Sequence, residues 1–142
     1  MLPLSVCAFA QTEPTILETV AWLKKKMEQG VLTVNVDYIE KGCKLCFSVK
    51  SPTSNLWCVL LSNIKLDNIV SGETGDGGRG FNLEARDGLK AVVIVSRDKM
   101  NYGKETGSDK HYYFYFKPTA NSPTFDNEMS EAINRLAKNC SK

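Results

Sequence analysis

Five cysteines and a single histidine are the most reactive side chains in this 142-residue chain, so thiol, metal and general-base chemistry are weighed first. Cys43-Lys44-Leu45-Cys46 has the two-residue spacing shared by zinc knuckles and redox dithiols. A structural zinc site needs two further ligands at short spacing, and the sole histidine, His111, is remote in sequence. A redox dithiol belongs at a helix start, where the thiolate is stabilised, whereas this pair falls in a run that alternates like a strand. No metal and no cofactor are expected. Once Cys7 is set aside with an apolar leader, Cys43, Cys46, Cys58 and Cys140 remain, an even number in a small domain, which reads as a disulfide framework. Cys43 shares a strand face with Leu45, Phe47 and Val49. Cys140 follows Phe125, Met129, Ile133 and Leu136 at helical steps. Both therefore point at the core, and a Cys43 to Cys140 bridge would tie a closing helix to a sheet, worth about 3 to 5 kcal/mol on the chain-entropy account. Cys46 and Cys58 flank the turn Ser51-Pro52-Thr53-Ser54-Asn55, and a register centred on Pro52 sets them opposite each other.

His111 alternates with Tyr113 and Tyr115 on one strand face, so it reads as a structural or surface ring, and no catalytic residue is expected. The glycine-rich run from Ser71 to Gly80 could present backbone N–H groups to a phosphate. It lacks a Gly-Lys-Ser/Thr ending and feeds the strand Phe81 to Ala85, where a nucleotide loop would feed a helix. It reads as a strand connection. Asp67, Glu73 and Asp76 lack the regular alternation of a calcium loop. Glu84 and Arg86 share a strand face and suit a surface ion pair.

Lys24-Lys25-Lys26 with Lys44, Lys50 and Lys65 could form a basic surface for an anionic head group; the alternative is a solvated helix face. The connection Asp98 to Lys110 carries Tyr102 amid glycines and charges and is a second candidate surface. The ligand-contact candidates are Lys24, Lys25, Lys44, Arg79 and Tyr102. A net charge of +2 with 24% charged residues gives no bulk field to attract nucleic acid, and no nucleic-acid partner is expected. No run approaches the roughly 18 apolar residues of a membrane span.

These residues must be held by an α+β scaffold, and 42% hydrophobic content over this length suits one core, hence a single domain over residues 11–142. Residues 1–10 carry no charge and end in Ala8-Phe9-Ala10, a small-x-small pattern, so they read as a partial signal peptide and predict export to the periplasm or beyond. Thr15-Ile16-Leu17-Glu18 is a capping box opening a helix whose stripe is Ile16, Val20, Leu23 and Met27, with Gly30 as its stop. Trp22 projects from the other side and is expected to pack sideways. Period-two alternation then marks seven strands between Val31 and Pro118, including one that starts at Ile64 and a hairpin turning at Asp87-Gly88 into Ala91 to Val95. Ser122-Pro123 opens the last helix.

Seven short strands closed by a C-terminal helix, with Leu61-Ser62-Asn63-Ile64-Lys65-Leu66-Asp67-Asn68-Ile69 resembling a third-to-fourth strand pattern, is similar to the pleckstrin-homology superfold and its GRAM and bacterial branches. The whole chain also resembles small exported bacterial proteins. The resemblance implies a curled sheet or barrel stoppered by the last helix, and a non-enzymatic binding or scaffold domain for a protein segment or lipid head group. Two alternatives stay open: a carrier with an apolar, lipocalin-like cavity, and a small secreted enzyme using Asp and Glu residues.

Overall fold

The computed structural model describes residues 13–30, 33–49, 55–97, 100, 102–117 and 123–140. The leader with Cys7, the Pro52 turn, Lys50 and the Ser122 cap lie outside the described residues.

Helix α1 (Ile16–Gly30) begins as the capping box requires. The Glu18 N–H donates to Thr15 Oγ1 at 3.1 Å, and the Thr15 N–H donates to Glu18 Oε1 at 2.8 Å. That exchange satisfies two backbone donors and holds the Glu18 carboxyl below its usual range, chiefly through the Thr15 N–H. Leu23 and Met27 are fully buried, while Ile16 and Val20 pack at the margin of the core. Trp22 does pack sideways, its ring centroid 6.0 Å from that of Phe125.

Eight strands follow: β1 (Thr33–Ile39), β2 (Lys44–Val49), β3 (Asn55–Leu60), β4 (Val70–Glu73), β5 (Arg79–Glu84), β6 (Val92–Ser96), β7 (Glu105–Asp109) and β8 (His111–Phe116), before helix α2 (Phe125–Cys140). They form two antiparallel sheets, one ordered β1-β2-β3-β6-β7 and the other β4-β5-β8. The expected barrel is not closed. The two sheets are stitched at one corner, where Ile64 bridges Ala85 and the Lys65 and Arg86 N–H groups donate to the Glu84 and Asn63 carbonyls. Large rings fill the space between the sheets, and α1 and α2 pack on the same interior cluster.

Three local expectations change. The strand expected at Ile64 is replaced by two short 3-10 turns, Leu61–Asn63 and Leu66–Asn68. Leu66 and Ile69, three apart, pack together on the core, and β4 begins only at Val70. The Asp87-Gly88 turn is real, with Gly88 at φ 79°, but it joins different sheets. It is a corner, because β5 finds both its partners in β4 and β8 while the backbone at Ala91 bonds to Leu60 and Asp109 in the other sheet. The eighth strand, β7, is the polar Glu-Thr-Gly-Ser-Asp stretch inside the long connection, an edge strand recruited by the buried β6.

Both expected disulfides are formed. Cys46 and Cys58 face each other in the β2–β3 register with Cα atoms 4.0 Å apart. Cys43 and Cys140, 97 residues apart in sequence, join the β1–β2 turn to the end of α2 with Cα atoms 5.3 Å apart. Cys43 is buried beside Leu45 and Phe47, yet it stands in the turn and not in the strand, at φ 53°. The α2 stripe is deeply buried: Phe125, Met129, Ile133 and Leu136 are each at most 1% exposed. Phe125→Ala should cost about 3 to 5 kcal/mol, through lost transfer energy plus a cavity that three neighbouring rings cannot collapse into. The check is a fall in the urea midpoint with an unchanged slope.

Candidate functional site

The residues expected to contact a ligand sit on different elements. Lys24 and Lys25 are exposed on α1. Lys26 is captured instead, its Nζ 5.9 Å from the Trp22 ring centre and 5.7 Å from that of Phe125, within cation–π range. Lys44 is half-buried and alternates with Cys46, whose side chain belongs to a small outer cluster separate from the one the helices cover. Arg79 is spent within the fold: its Nε donates to Asp126 Oδ1 at 3.0 Å, its Nη2 donates to Oδ2, and Ser71 Oγ donates to the same Oδ2 at 3.1 Å. This fork ties β4 and β5 to the first turn of α2, where a carboxylate is also favoured by the helix dipole. Tyr102, 77% exposed, stands with Met100, 92% exposed, in the β6–β7 connection.

The glycine-rich run folds as the β4–β5 hairpin, centred on Asp76. Asp76 Oδ1 accepts from the Thr74 hydroxyl and from the Gly78 N–H at 3.1 Å, and its Oδ2 accepts from the Tyr115 hydroxyl. A backbone donor that a phosphate would use is thus already held by the loop's own carboxylate. The Thr74 hydroxyl, then Tyr115 and the Gly78 N–H, hold Asp76 down to about 2, and Asp76 in turn pushes the Tyr115 phenol up. Gly78 is required here, since a Cβ would run into the Phe116 carbonyl. At Gly80 a Cβ would meet only the outer end of the exposed Tyr113 side chain, which can swing aside.

His111 is exposed on β8, opposite Glu84 of β5. Glu84 does not pair with Arg86. It meets Lys65 Nζ at 3.4 Å and accepts from Asn68 at 3.4 Å, while Arg86 donates to the Ser62 carbonyl beyond the corner. The corner turns the chain after Ala85 and carries Arg86 off the strand. Among the described residues no group of three or more His, Cys, Asp or Glu side chains is placed to hold a metal.

One concavity among the described residues was not signalled by any of these residues. It is a groove of about 330 Å³ between α1 and α2, walled by Trp22 and Ala132, with Glu18, Glu128 and Glu131 along its rim. At its floor Thr19, 2% exposed, donates to the Thr15 carbonyl at 2.8 Å and accepts from Arg135 Nη1 at 3.1 Å. Arg135 Nε is buried without a hydrogen-bond partner among the described residues. The one available signal was Thr19 itself, a hydroxyl four residues before Leu23 and eight before Met27 on the buried helix face. The groove thus sets three carboxylates, Glu18, Glu128 and Glu131, beside Arg135 and the bonded Thr19 hydroxyl.

The Asp76 carboxyl gives a direct test of the hairpin. Its folded pKa lies below the unfolded value, so its stabilisation is present above about 4 and is lost as pH falls through about 2. Tyr115 has the opposite sign: its folded pKa is raised, so its share is present below about 10 and is lost at higher pH. Tyr115→Phe should raise the Asp76 pKa while leaving it below the ordinary aspartate value, because Thr74 and Gly78 still donate. Carboxyl-carbon NMR titration of both proteins reads this, and an unmoved Asp76 would contradict the geometry.

No family model, no curated protein and no solved structure matches this chain.

Proposed function

We propose that this chain is an exported, non-catalytic binding or scaffold domain, on a plan resembling the pleckstrin-homology superfold, that meets its ligand on its outer surface. The observation that carries the reading is the filled interior. Phe47, Phe114, Phe116, Phe81 and Phe125 form a continuous series of ring contacts with centroids 4.9 to 6.1 Å apart along Phe47–Phe114, Phe114–Phe116, Phe81–Phe116, Phe81–Phe125 and Phe116–Phe125. A lipocalin-like carrier needs that volume open. An enzyme needs a nucleophile, base and orienting group in reach of one another. His111 faces a glutamate whose contacts are to Lys65 and Asn68.

Two disulfides support export, since such bonds persist in oxidising compartments. None of the described helices is long and apolar enough to cross a membrane. A protein segment is the ligand class favoured by the exposed Met100 and Tyr102. A lipid head group is favoured by the exposed Lys24 and Lys25.

Titration with a fluorescent fatty acid should give no saturable one-to-one signal; stoichiometric binding would replace this reading with the carrier. Co-sedimentation with phosphatidylglycerol vesicles, compared with phosphatidylcholine vesicles, separates the two surface ligands. Salt-sensitive binding to the anionic vesicles that Lys24→Glu with Lys25→Glu abolishes would assign the head group, and no vesicle binding would leave the protein segment.

A further inference from the structure

The two disulfides stand in different surroundings. Cys46 and Cys58 are 1% and 4% exposed, with Val93 against them and Leu56, Leu60 and Val95 around. Cys140 is only half-buried, in the last turn of α2, and its bridge partner Cys43 is 5% exposed. Thiol–disulfide exchange needs a thiolate to reach a sulfur in line with the bond, so access separates these bonds before chemistry does.

Cys43 carries a second distinction. Among the described residues it alone, apart from glycines, has a positive φ, 53°, a region where a Cβ is crowded. The β1–β2 turn fixes it there, its N–H donating to the Glu40 carbonyl at 3.0 Å and its carbonyl accepting from the Leu61 N–H at 2.9 Å, so this sulfur is carried by a strained residue. A third distinction lies at the other sulfur. The Tyr38 hydroxyl is 2.9 Å from Cys140 Sγ and 3.1 Å from the Leu136 carbonyl, while Asn139 Nδ2 donates to the Tyr38 oxygen at 3.1 Å. The one phenol proton can be given to the carbonyl or to the sulfur. A disulfide sulfur is a weak acceptor and a thiolate a strong one, so the proton has a reason to move to sulfur only after the bond is cut.

We propose that Cys43–Cys140 is a reversible redox strap and Cys46–Cys58 a permanent staple. A thiolate of a dithiol reductant attacks Sγ of the half-buried Cys140, forming a mixed disulfide and expelling the Cys43 thiolate, which takes a proton. The second thiol of the reductant closes on its own sulfur and expels the Cys140 thiolate toward the Tyr38 hydroxyl. The reductant leaves as a cyclic disulfide, two electrons having passed to the protein as two thiols. Opening frees the final turn of α2. That turn borders a groove that also contains Leu66, Asp67, Asn134, Lys138 and Asn139, so the strap sets the shape of this groove.

The test uses the native full chain, reduced stepwise with dithiothreitol, alkylated without denaturant and mapped by mass spectrometry. Labelling at Cys43 and Cys140 should precede labelling at Cys46 and Cys58 by about tenfold in rate or more. Simultaneous labelling, or earlier labelling of Cys46 and Cys58, would overturn the assignment. On the singly reduced protein, amide exchange across residues 134–140 should rise about tenfold while residues 44–49 and 55–60 stay protected; unchanged exchange at the end of α2 would refute the switch. Tyr38→Phe should shift the dithiothreitol equilibrium of this one bond several-fold toward the oxidised form, and an unshifted equilibrium would remove Tyr38 from the device.

Discussion

The burial of Phe125 is the contact on which the rest of the structure depends. Its ring meets Phe116 at 4.9 Å, Phe81 at 5.6 Å and Trp22 at 6.0 Å, so one side chain joins α2 to the three-stranded sheet and to α1. The five-stranded sheet enters through Phe47, whose ring lies 5.4 Å from Tyr112 and 5.7 Å from Phe114. Among the described residues, the backbone hydrogen bonds that join the sheets are gathered at one corner. Side-chain packing must therefore hold them face to face, and aromatic rings suit the task because each buries a large area at few rotatable bonds. Tyr112 feels the same dry interior, which pushes its phenol above the ordinary range.

Covalent and polar links then secure what packing has assembled. Removing the entropy of a loop close to 100 residues is worth about 4 to 5 kcal/mol, so the Cys43–Cys140 bond acts on the unfolded chain as strongly as several buried methyl groups act on the folded one. At the opposite end of α2, Asp126 receives the Arg79 fork and Ser71. One helix is thus attached at its first turn to the small sheet and at its last to the large one. Between these ends its apolar stripe fills the space between the sheets.

What could be read from the residues was what depends on near neighbours or on periodicity. The capping box is three residues long, and its two hydrogen bonds follow from the spacing of Thr15 and Glu18. The pairing of all four cysteines followed from strand alternation, helical steps and a turn of known length. Partner choice among strands was not legible, because it is settled by residues distant in sequence. Asp87-Gly88 has the composition of a hairpin turn, yet β5 pairs with β4 and β8 while β6 pairs with β3 and β7. β7 has no alternating apolar residues, and it is a strand because β6 offers it a free edge. The same non-locality hid the groove, since Thr19 and Arg135 meet across 116 residues.

A basic or glycine-rich stretch is a statement about composition, and folding decides how much of that chemistry stays available to a ligand. Arg79 is neutralised by Asp126, Lys26 lies over two rings, and the Asp76 carboxylate occupies the hairpin's own donors. Each of these groups stabilises a junction between elements, and none can serve a partner without loosening that junction. The recognition chemistry proposed for the surface therefore falls to exposed groups outside these junctions, Lys24 and Lys25 on α1 and the Met100 and Tyr102 tip. Packed rings fill the space between the sheets, so the binding surface proposed above lies on the outside of the molecule.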